Sequence, residues 1–579
     1  MILQALVEHY ETLVQNKDET IPQFGWSRTT ASFCVLIDLD GNLKNLVSLV
    51  DENKKGQPVT VPLQLKRSGK NPPPYFLCDS ATYVLGLENG ELTKRSQQYF
   101  ENFRIYHRNL LSQMPCAAST AVCNFLERWN PQRECANPIV QAAFAQGMGR
   151  GNLIFRITDT SERAHCVKEI IEGWNRYYQQ WQDDVVGICM VTGNSAPIAR
   201  IHNSVKGIYA SALAPNGWTL VGFDKGSPAF SSYGKEQGYN APTSQYAAFA
   251  YTAALNHLLA DRERVCRIGD ATVVFWAKSG ETAYSDCFLD SLFDEERKYE
   301  PEELQAMMAS LSKGEAVTYD QNQLDPNMQF YVLGLSPNAA RLSVRFFLQN
   351  SFGNLVANAK AHQERLEIVR PSFDKFVTMP LWALLRETVN ENSRDKAPAP
   401  NLAGEVLRSI LNNTPYPATL LQGVQLRIRA ERRVTRGRAA IIKAYYLKKP
   451  HPEVPEEVLT VALNRESNNV PYTLGRLFSV LEAIQEAANP GINATIQDRY
   501  FNSASSTPAR VFPTLLNLSQ KHLKKLSGGL RITYERQVTE LLGKLPESFP
   551  AQFSLPQQGS FQLGYYHQTQ ARYEKREEN

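Results

Sequence analysis

The sequence predicts an α+β protein: an N-terminal mixed α/β domain with antiparallel strands over residues 1–375, followed by an all-α C-terminal helix bundle over 376–579. Three observations support this prediction. A chain of 579 residues is too long for one hydrophobic core. Strand-like runs alternate with helical runs up to about residue 370, whereas helical periodicity dominates from Leu402. Prolines 380, 398 and 400 mark the junction between the two patterns.

The N-terminal part opens with an amphipathic helix near residues 2–13. ASFCVLIDLDGNLKNLVSLV (31–50) then predicts two strands joined by a turn at Asp40-Gly41. The pattern predicts further strands at 59–65, 152–158, 185–193 and 272–277 and a strand–loop–strand unit at 331–347. It predicts helices near 95–113 and 246–261. Together these elements favour a sheet domain with much antiparallel pairing.

The C-terminal part shows helical periodicity in four long segments, at 404–413, 420–449, 472–488 and 509–526. Short polar stretches separate them, which is typical of a helix bundle. Apolar residues of the 472–488 segment are predicted to be buried in that bundle: Leu474, Leu477, Phe478, Leu481 and Ile484.

Composition excludes several classes of protein. Hydrophobic residues make up 43% of the chain, a globular value, and the formal net charge is only +4. Nine cysteines lie in the first half without any CxxC pair, which excludes an obvious zinc ribbon and indicates reduced thiols in a cytoplasmic protein. No secretory signal peptide or run of about 18 apolar residues is found, so we expect no membrane span.

A search for catalytic residue sets finds little. The chain has no HExxH, no adjacent His-Asp pair and no Walker loop, and we expect neither a cofactor nor a metal. Asp38 and Asp40 could form a metal-binding DxD pair, but their position at a strand–turn junction favours ordinary hairpin chemistry. A nuclease with an unconventional metal site around these aspartates stays open as an alternative.

The segment 223–244, FDKGSPAFSSYGKEQGYNAPTS, is dense in hydrogen-bonding groups and punctuated by glycines. Such a loop suits phosphates, sugars and base edges. Its candidate DNA-binding residues are Ser232, Tyr233, Lys235, Gln237 and Asn240. The alternative is an ordered Ω-loop whose polar groups serve only its own backbone.

Local basic clusters provide two more candidate DNA-binding surfaces. Lys66, Arg67, Lys70 and Asn71 lie on a loop before the rigid Pro72-Pro73-Pro74. Arg429, Arg432, Arg433 and Arg436 are spaced to share one face of a helix, and such a stripe needs carboxylates or phosphates to offset its repulsion. The alternative for the stripe is a solvated face of the bundle. KHLKKL (521–526) is a further basic cluster at a helix end.

Nearly end to end, the chain resembles the large subunit of the type I-C CRISPR Cascade surveillance complex. The segments that carry the resemblance occur in the family's order: MILQALVEHYETL (1–13), GWS (25–27), CDSATYVLG (78–86), IHNSVKGI (201–208), FSSYGKEQGYNAPTS (230–244), YVLGLSPNAARLSVRFF (331–347), RAAIIKAYYLK (438–448), YTLGRLFSVLEAIQEAANPGINATIQDRYFNSASSTPARVFPTLL (472–516) and HLKKL (522–526).

The resemblance implies a non-catalytic subunit that recognises the protospacer-adjacent motif in double-stranded DNA, promotes R-loop formation in antiviral defence and supports recruitment of a separate helicase–nuclease. Its implied partners are CRISPR RNA, target DNA, the displaced single strand and the backbone, handle-binding and small Cascade subunits. We then expect the 230–240 loop to contact the motif, with Tyr233 stacking, Gln237 and Asn240 on base edges and Lys235 on a phosphate. The 66–71 loop would be its companion, and the arginine stripe would hold the displaced strand.

The resemblance further implies that the C-terminal bundle is similar to the family's small subunit, which can be made separately from an internal start. No methionine follows Met379, so such a product would need a non-AUG codon, for example at valine 454, 458 or 461. A purely structural scaffold subunit is the remaining alternative.

Overall fold

The structure is a computed structural model that describes residues 2–18, 20–52, 55–64, 67, 71–160, 162–180, 185–209, 217–223, 234–292, 299, 301–374, 377–394 and 396–573. The chain divides into two compact units. Unit 1 comprises Met1–Ile208, Ala212–Asp261 and Pro337–Ser343, and unit 2 comprises Tyr209–Ser211, Arg262–Ser336 and Val344–Asn579.

The elements up to residue 261 mix helices with short strands. In chain order they are α1 (Ile2–Gln15), β1 (Trp26–Ile37), β2 (Leu43–Ser48), β3 (Gln57–Pro62), β4 (Cys78–Ser80), α2 (Ala81–Val84), α3 (Lys94–Leu111), α4 (Ala117–Arg128), α5 (Pro131–Glu134), α6 (Pro138–Ala145), β5 (Asn152–Ile157), α7 (Lys168–Gln180), β6 (Val186–Ile188), β7 (Ser195–Pro197) and α8 (Gln245–Ala260).

The sheet of unit 1 is organised around the long strand β1. Its second half pairs antiparallel with β2, as the turn at Asp40-Gly41 predicts, and its first half pairs antiparallel with β3. On its other edge β1 pairs in parallel with β5, which in turn pairs antiparallel with β4. Buried residues of β1, including Phe33 and Val35, explain why this strand is central.

Among the described residues from 262 onward, six strands and two helices come first, and after β13 the elements are helices. The elements are β8 (Cys266–Ile268), β9 (Ala271–Ala277), α9 (Ala283–Leu292), α10 (Pro301–Ser312), β10 (Val317–Tyr319), β11 (Asn322–Leu324), β12 (Gln329–Asn338), β13 (Arg341–Ser351), α11 (Phe352–Leu366), α12 (Leu381–Arg386), α13 (Leu402–Leu411), α14 (Ala418–Glu431), α15 (Arg436–Lys448), α16 (Val470–Ala488), α17 (Ile496–Ser506), α18 (Pro508–Leu523), α19 (Gly528–Gly543) and α20 (Leu555–Ala571).

A four-stranded sheet in the order β13-β12-β9-β8 and the helices that follow it share one hydrophobic core in unit 2. Helices α16 and α20 form its tightest pair, since a Cβ atom at Gly475 would lie 2.0 Å from the carbonyl oxygen of Phe561. The matching position on α20, Gly564, would place a Cβ 2.1 Å from the carbonyl oxygen of Tyr472. Both positions therefore require glycine, whose missing side chain lets the two backbones touch.

The predicted fold class is confirmed: sheets and helices mix in the N-terminal part, and helices make up the C-terminal part. The five apolar residues predicted to be buried on the 472–488 segment are buried. The predicted continuous helix at 420–449 is wrong, because α14 ends at Glu431 and α15 begins at Arg436. The sequence prediction also missed helices, among them α4, α7 and α11. Among the described residues, no helix is both long and apolar enough to cross a membrane.

Candidate nucleic-acid interface

The described part of the predicted motif-reading loop, residues 234–244, is folded tightly onto the chain at Ala199 and Arg200. A 3-10 helix spans Gln237–Asn240, and the amide of Gly238 donates to the carbonyl oxygen of Arg200 at 2.9 Å. A Cβ at Gly238 would lie 2.5 Å from the carbonyl oxygen of Ala199, so this contact requires glycine. The loop therefore has a defined shape. Ser232 and Tyr233 lie outside the described residues.

The side chain of Asn240 faces its own loop. Its amide nitrogen donates to the carbonyl oxygens of Lys235 (2.7 Å) and Gln237 (2.9 Å), and its Oδ1 is buried. Both donor hydrogens of this amide are thus occupied by the backbone, as the Ω-loop alternative requires of its polar groups. In this conformation Asn240 holds the loop and offers no donor to a base edge.

Gln237 is held differently. Its backbone is in the left-handed region, with φ at 44°, and its Oε1 accepts a hydrogen bond of 2.5 Å from Arg200 Nη1. The same guanidinium pairs with Glu236 at 3.2 Å. A left-handed conformation costs free energy in a residue other than glycine, so Arg200 helps to hold an unfavourable backbone in place. Lys235 is exposed beside it.

A short β-hairpin, formed by β6 and β7, is tied to this loop. The amide of Met190 donates to the carbonyl oxygen of Pro242 (2.8 Å), and the amide of Ala199 donates to that of Thr243 (2.9 Å). The thiol of Cys189 accepts from the amide of Ser244 at 3.1 Å. Burial alone would raise the pKa of Cys189, but the hydrogen bonds from Ser244 and Thr192 outweigh it and lower that pKa to about 7. The hairpin and the loop therefore form one structural element.

The hairpin carries an unusual amount of exposed apolar surface. Val186, Ile188 and Met190 are 59%, 63% and 73% exposed. Since side chains alternate along a strand, Val186 and Ile188 project toward the same face of β6, and Met190 lies in the turn that follows. Sequence reasoning predicted a strand here but missed this surface, because an apolar run usually predicts a buried strand.

The second predicted loop is anchored by its arginine. Arg67 Nη1 donates to Asp79 Oδ1 at 3.0 Å, and Nη2 binds Asp79 Oδ2. Its guanidinium carbon lies 3.4 Å from the ring centre of Tyr75 and 4.2 Å from that of Tyr83. The predicted solvent-facing cation at position 67 is therefore engaged within the fold, because a buried carboxylate takes its two terminal nitrogens.

Asp79 is 1% exposed. Burial raises the pKa of this carboxyl, and the hydrogen bonds from Arg67 and from the amides of Tyr75 and Ser80 oppose that increase. Asn71 is exposed on the same loop, whereas Lys66 and Lys70 lie outside the described residues. Arg67 thus fixes the chain next to the two lysines.

The predicted arginine stripe is a bend between two helices. Helix α14 ends with Arg432 in the left-handed conformation (φ 57°), and Thr435 caps α15 by accepting from the amide of Arg438. The prediction that the four arginines share one helical face is therefore wrong. We call residues 429–436 the arginine elbow.

Arg429, Arg432 and Arg433 are exposed at the arginine elbow. Nη2 of Arg429 donates to Gln558 Oε1 at 3.1 Å. Within the described part of the chain, the side chains of Arg432 and Arg433 form no hydrogen bond or salt bridge. The two arginines are therefore oriented toward solvent by the bend.

Arg436 and Arg438 face inward. Arg436 pairs with Asp374 at 2.9 Å and has a side chain only 10% exposed, so the expectation that it stands ready for phosphates is corrected. Arg438 pairs with Glu387 (3.2 Å) and Glu431 (2.5 Å) and donates to the carbonyl oxygen of Arg433. This buried guanidinium holds the end of α14 and the loop after it in place.

The aspartates of the alternative metal site serve the β1–β2 turn. Asp38 accepts from the amide of Asn42 (2.7 Å) and from its side chain (3.0 Å) and pairs with Lys44 (2.9 Å). These hydrogen bonds lower the pKa of Asp38. Asp40 is exposed. No group of three or more His, Cys, Asp or Glu side chains suited to a metal ion occurs in the described ranges.

A comparison with protein families gives one match. The family model described as CRISPR-associated protein (Cas_Csd1) matches residues 6–573. No curated protein matches the chain. Because the family match spans nearly the whole sequence, as the ordered segments from MILQALVEHYETL to HLKKL predict, the chain belongs to the Csd1 family of CRISPR-associated proteins, the large subunits of type I-C Cascade.

Proposed function

We propose that the protein is a non-catalytic, cytoplasmic subunit that recognises the protospacer-adjacent motif in double-stranded DNA and starts R-loop formation there. The observation that supports the proposal is that one structural element presents both a polar and an apolar surface. A polar loop with Lys235 and Gln237 is hydrogen-bonded to a hairpin whose outer face is apolar. Polar groups suit phosphates and base edges, and apolar side chains suit the space between unstacked bases.

Duplex opening needs both surfaces close together. Unstacking one base step costs a few kcal/mol, which contacts formed at the same place must offset. Met190 and Pro242 are joined by a backbone hydrogen bond, so a motif bound by the 234–244 loop lies beside the exposed Ile188 and Met190. In this proposal Gln237 contacts a base edge, Lys235 a phosphate, and Asn240 and Arg200 position the loop. Ser232 and Tyr233 remain candidates for contact and stacking.

Two basic surfaces then hold DNA by its phosphates. Lys66, Lys70 and Asn71 contact the duplex, with Arg67 as their positioning residue through Asp79. Arg429, Arg432 and Arg433 of the arginine elbow contact the displaced single strand, since arginines whose side chains face solvent suit a mobile phosphate backbone. Arg436 acts as a structural member of the elbow.

Sequence reading beyond the motif belongs to pairing between the CRISPR RNA and the target strand, as in other RNA-guided systems. We propose that residues 1–375 recognise the motif and dock on the guide RNA handle and the backbone subunits. Residues 376–579 then act like a small subunit and support recruitment of the separate helicase–nuclease.

The test replaces the apolar hairpin surface while sparing the polar loop. We expect Ile188→Ser with Met190→Ser, in the assembled complex, to keep its affinity for motif-containing duplex within about twofold and to lower permanganate reactivity of thymines beside the motif. Ile532→Ser is the matched control, because Ile532 is 67% exposed on α19. Normal opening by the double variant would remove the hairpin from the mechanism.

Two further measurements distinguish the alternative functions. Divalent-metal-dependent cleavage of labelled duplex by the protein alone, lost in Asp38→Asn, would favour the nuclease. Unchanged DNA affinity after replacing the exposed elbow arginines and Lys235 by alanine would favour a purely structural scaffold.

A further inference from the structure

A cavity of about 520 Å³ opens on unit 1, and none of its described lining residues is among those assigned to DNA above. Helices α1, α7 and α8 and the segment before β1 supply its walls. The described residues that line it are Tyr10, Glu11, Val14, Gln15, Gln23, Phe24, Asn175, Tyr178 and Tyr246.

Four of the nine described lining residues are aromatic. The ring centre of Phe24 lies 5.1 Å from that of Tyr178 and 5.4 Å from that of Tyr246, and both pairs meet edge to face. Tyr10 meets Tyr246 edge to face at 6.2 Å. Aromatic rings that line a hollow attract a cation through the negative charge of their faces.

The charge of the lining residues also favours a cation. Glu11 is exposed at the cavity, and its Oε1 accepts a hydrogen bond of 3.2 Å from the hydroxyl of Tyr246. Among the described lining residues none is basic. Burial and the nearby Glu11 raise the pKa of Tyr246 to about 12, so its ring stays neutral at physiological pH.

We propose that this cavity, which we call the aromatic cage, binds an arginine side chain of a protein partner. A guanidinium is planar, stacks on aromatic faces and is weakly hydrated, and it carries five donors. The acceptors beside the rings are the Glu11 carboxylate and the side-chain oxygens of Gln15, Gln23 and Asn175, of which Asn175 Oδ1 already accepts from Trp26. Several acceptors around one hollow match a guanidinium better than the compact charge of a lysine.

The same lining disfavours a nucleotide, although nucleobases also stack on aromatic rings. A nucleotide brings phosphate, and the cage holds a carboxylate in place of the arginines and lysines that phosphates need. The inference is thus independent of the proposed DNA contacts and assigns this face of unit 1 to protein–protein assembly.

The first experiment measures binding of N-acetylarginine methylamide to the full chain by saturation-transfer NMR. The neutral citrulline analogue, nearly identical in shape, reports the part of the signal that does not depend on charge. We expect arginine to bind at least about threefold more tightly than citrulline, and Glu11→Gln to remove about that factor. Phe24→Leu combined with Tyr246→Leu should abolish the difference. Glu172→Gln, on the exposed side of α7, should leave it unchanged.

The second experiment identifies the occupant in the assembled complex. A photo-cross-linking residue at Gln15 should cross-link to a protein segment that contains arginine, and Glu11→Gln should reduce that yield. Cross-links to nucleic acid, equal binding of arginine and citrulline, or tighter binding of tetramethylammonium than of arginine would each overturn the proposal. The last result would assign the cage to a small quaternary amine. Retained helical circular dichroism and thermal midpoint exclude misfolding as the cause of any loss.

Discussion

Arg67 and Asp79 form a bidentate ion pair whose guanidinium also contacts two tyrosine rings. The rings are those of Tyr75 and Tyr83, and the hydroxyl of Tyr83 donates to the carbonyl oxygen of Pro72 at 2.8 Å. These contacts tie Arg67 to β4 and Pro72 to α2. A cation that composition alone places in solvent is a structural anchor here.

Removing this anchor should destabilise the protein strongly. We expect Arg67→Met to lower the free energy of unfolding by about 3–5 kcal/mol, because it leaves the buried Asp79 carboxylate without its counter-ion. The double variant with Asp79→Leu should recover most of that loss in urea unfolding. An equal loss in the single and double variants would mean that the pair contributes by packing alone.

The neighbouring lysines should behave in the opposite way. Lys66→Ala with Lys70→Ala leaves the anchor intact, so stability should change by less than about 0.5 kcal/mol. Affinity for every duplex should fall, and the slope of log affinity against log salt should flatten by about two units. An unchanged slope would identify the loop as an ordinary solvated turn.

Two substitutions at Gln237 distinguish the effect of a lost base contact from the effect of backbone strain. Gln237→Gly removes the amide while glycine accepts the positive φ, so folding should be preserved and motif discrimination should fall roughly ten- to hundredfold. Gln237→Ala loses the same contact and adds backbone strain. Binding to motif-containing and motif-lacking duplexes, measured in parallel, checks the result. Equal loss on both duplexes would contradict base reading by this residue.

Substitution of Arg432 should increase the stability of the fold and weaken the hold on the displaced strand. Arg432→Gly should raise the free energy of unfolding by about 0.5–1 kcal/mol, since glycine tolerates the left-handed helix end. Combined with Arg429→Ala and Arg433→Ala it should shorten the lifetime of the opened complex, followed by permanganate footprinting at two salt concentrations. Arg436→Ala is the contrasting variant: it breaks the pair with Asp374 and should destabilise the fold.

Buried histidines should make the protein sensitive to acid. Burial lowers the pKa of His107 to about 3, and its Nε2 accepts from the amide of Leu77 while Nδ1 donates to the Phe103 carbonyl oxygen. Below pH 6.5 this histidine binds a proton in the unfolded chain but stays neutral in the folded chain. The free energy of unfolding therefore falls as pH decreases from about 6.5 toward 3.

Each such histidine contributes about 1.4 kcal/mol per pH unit in that window, and His362 and His567 share the shift to about 3. Urea midpoints should therefore change little between pH 7.5 and 6.5 and fall clearly between pH 6.5 and 5.5. His107→Gln should reduce the slope of unfolding free energy against pH by the contribution of one proton. His451→Gln, at a half-exposed histidine, should leave that slope unchanged. A slope unaltered by His107→Gln would argue against a neutral buried imidazole.

Sequence patterns predicted the fold class because periodicity is strong in elements such as α3, α8 and α16. They failed at the arginine elbow, because neither glycine nor asparagine marks the left-handed residue at position 432. They failed for Arg67 because its partner lies twelve residues away, and a local charge count cannot reveal burial. The apolar hairpin and the role of Arg200 depend on contacts between distant segments, for which a single sequence carries no signal.

The parallel pairing of β1 with β5 determines the order in which the sheet of unit 1 can form during synthesis. Ile37 and Ile157 are neighbours in the sheet although 120 positions separate them, whereas β2 and β3 follow β1 at once. A nascent chain can pair β1 with β2 and β3 early, but the other edge of β1 stays open until β5 leaves the ribosome. Pairings of long sequence separation close slowly, and an open strand edge invites aggregation. Slow or crowded translation of residues 63–151 should therefore be the step at which this protein depends most on chaperones.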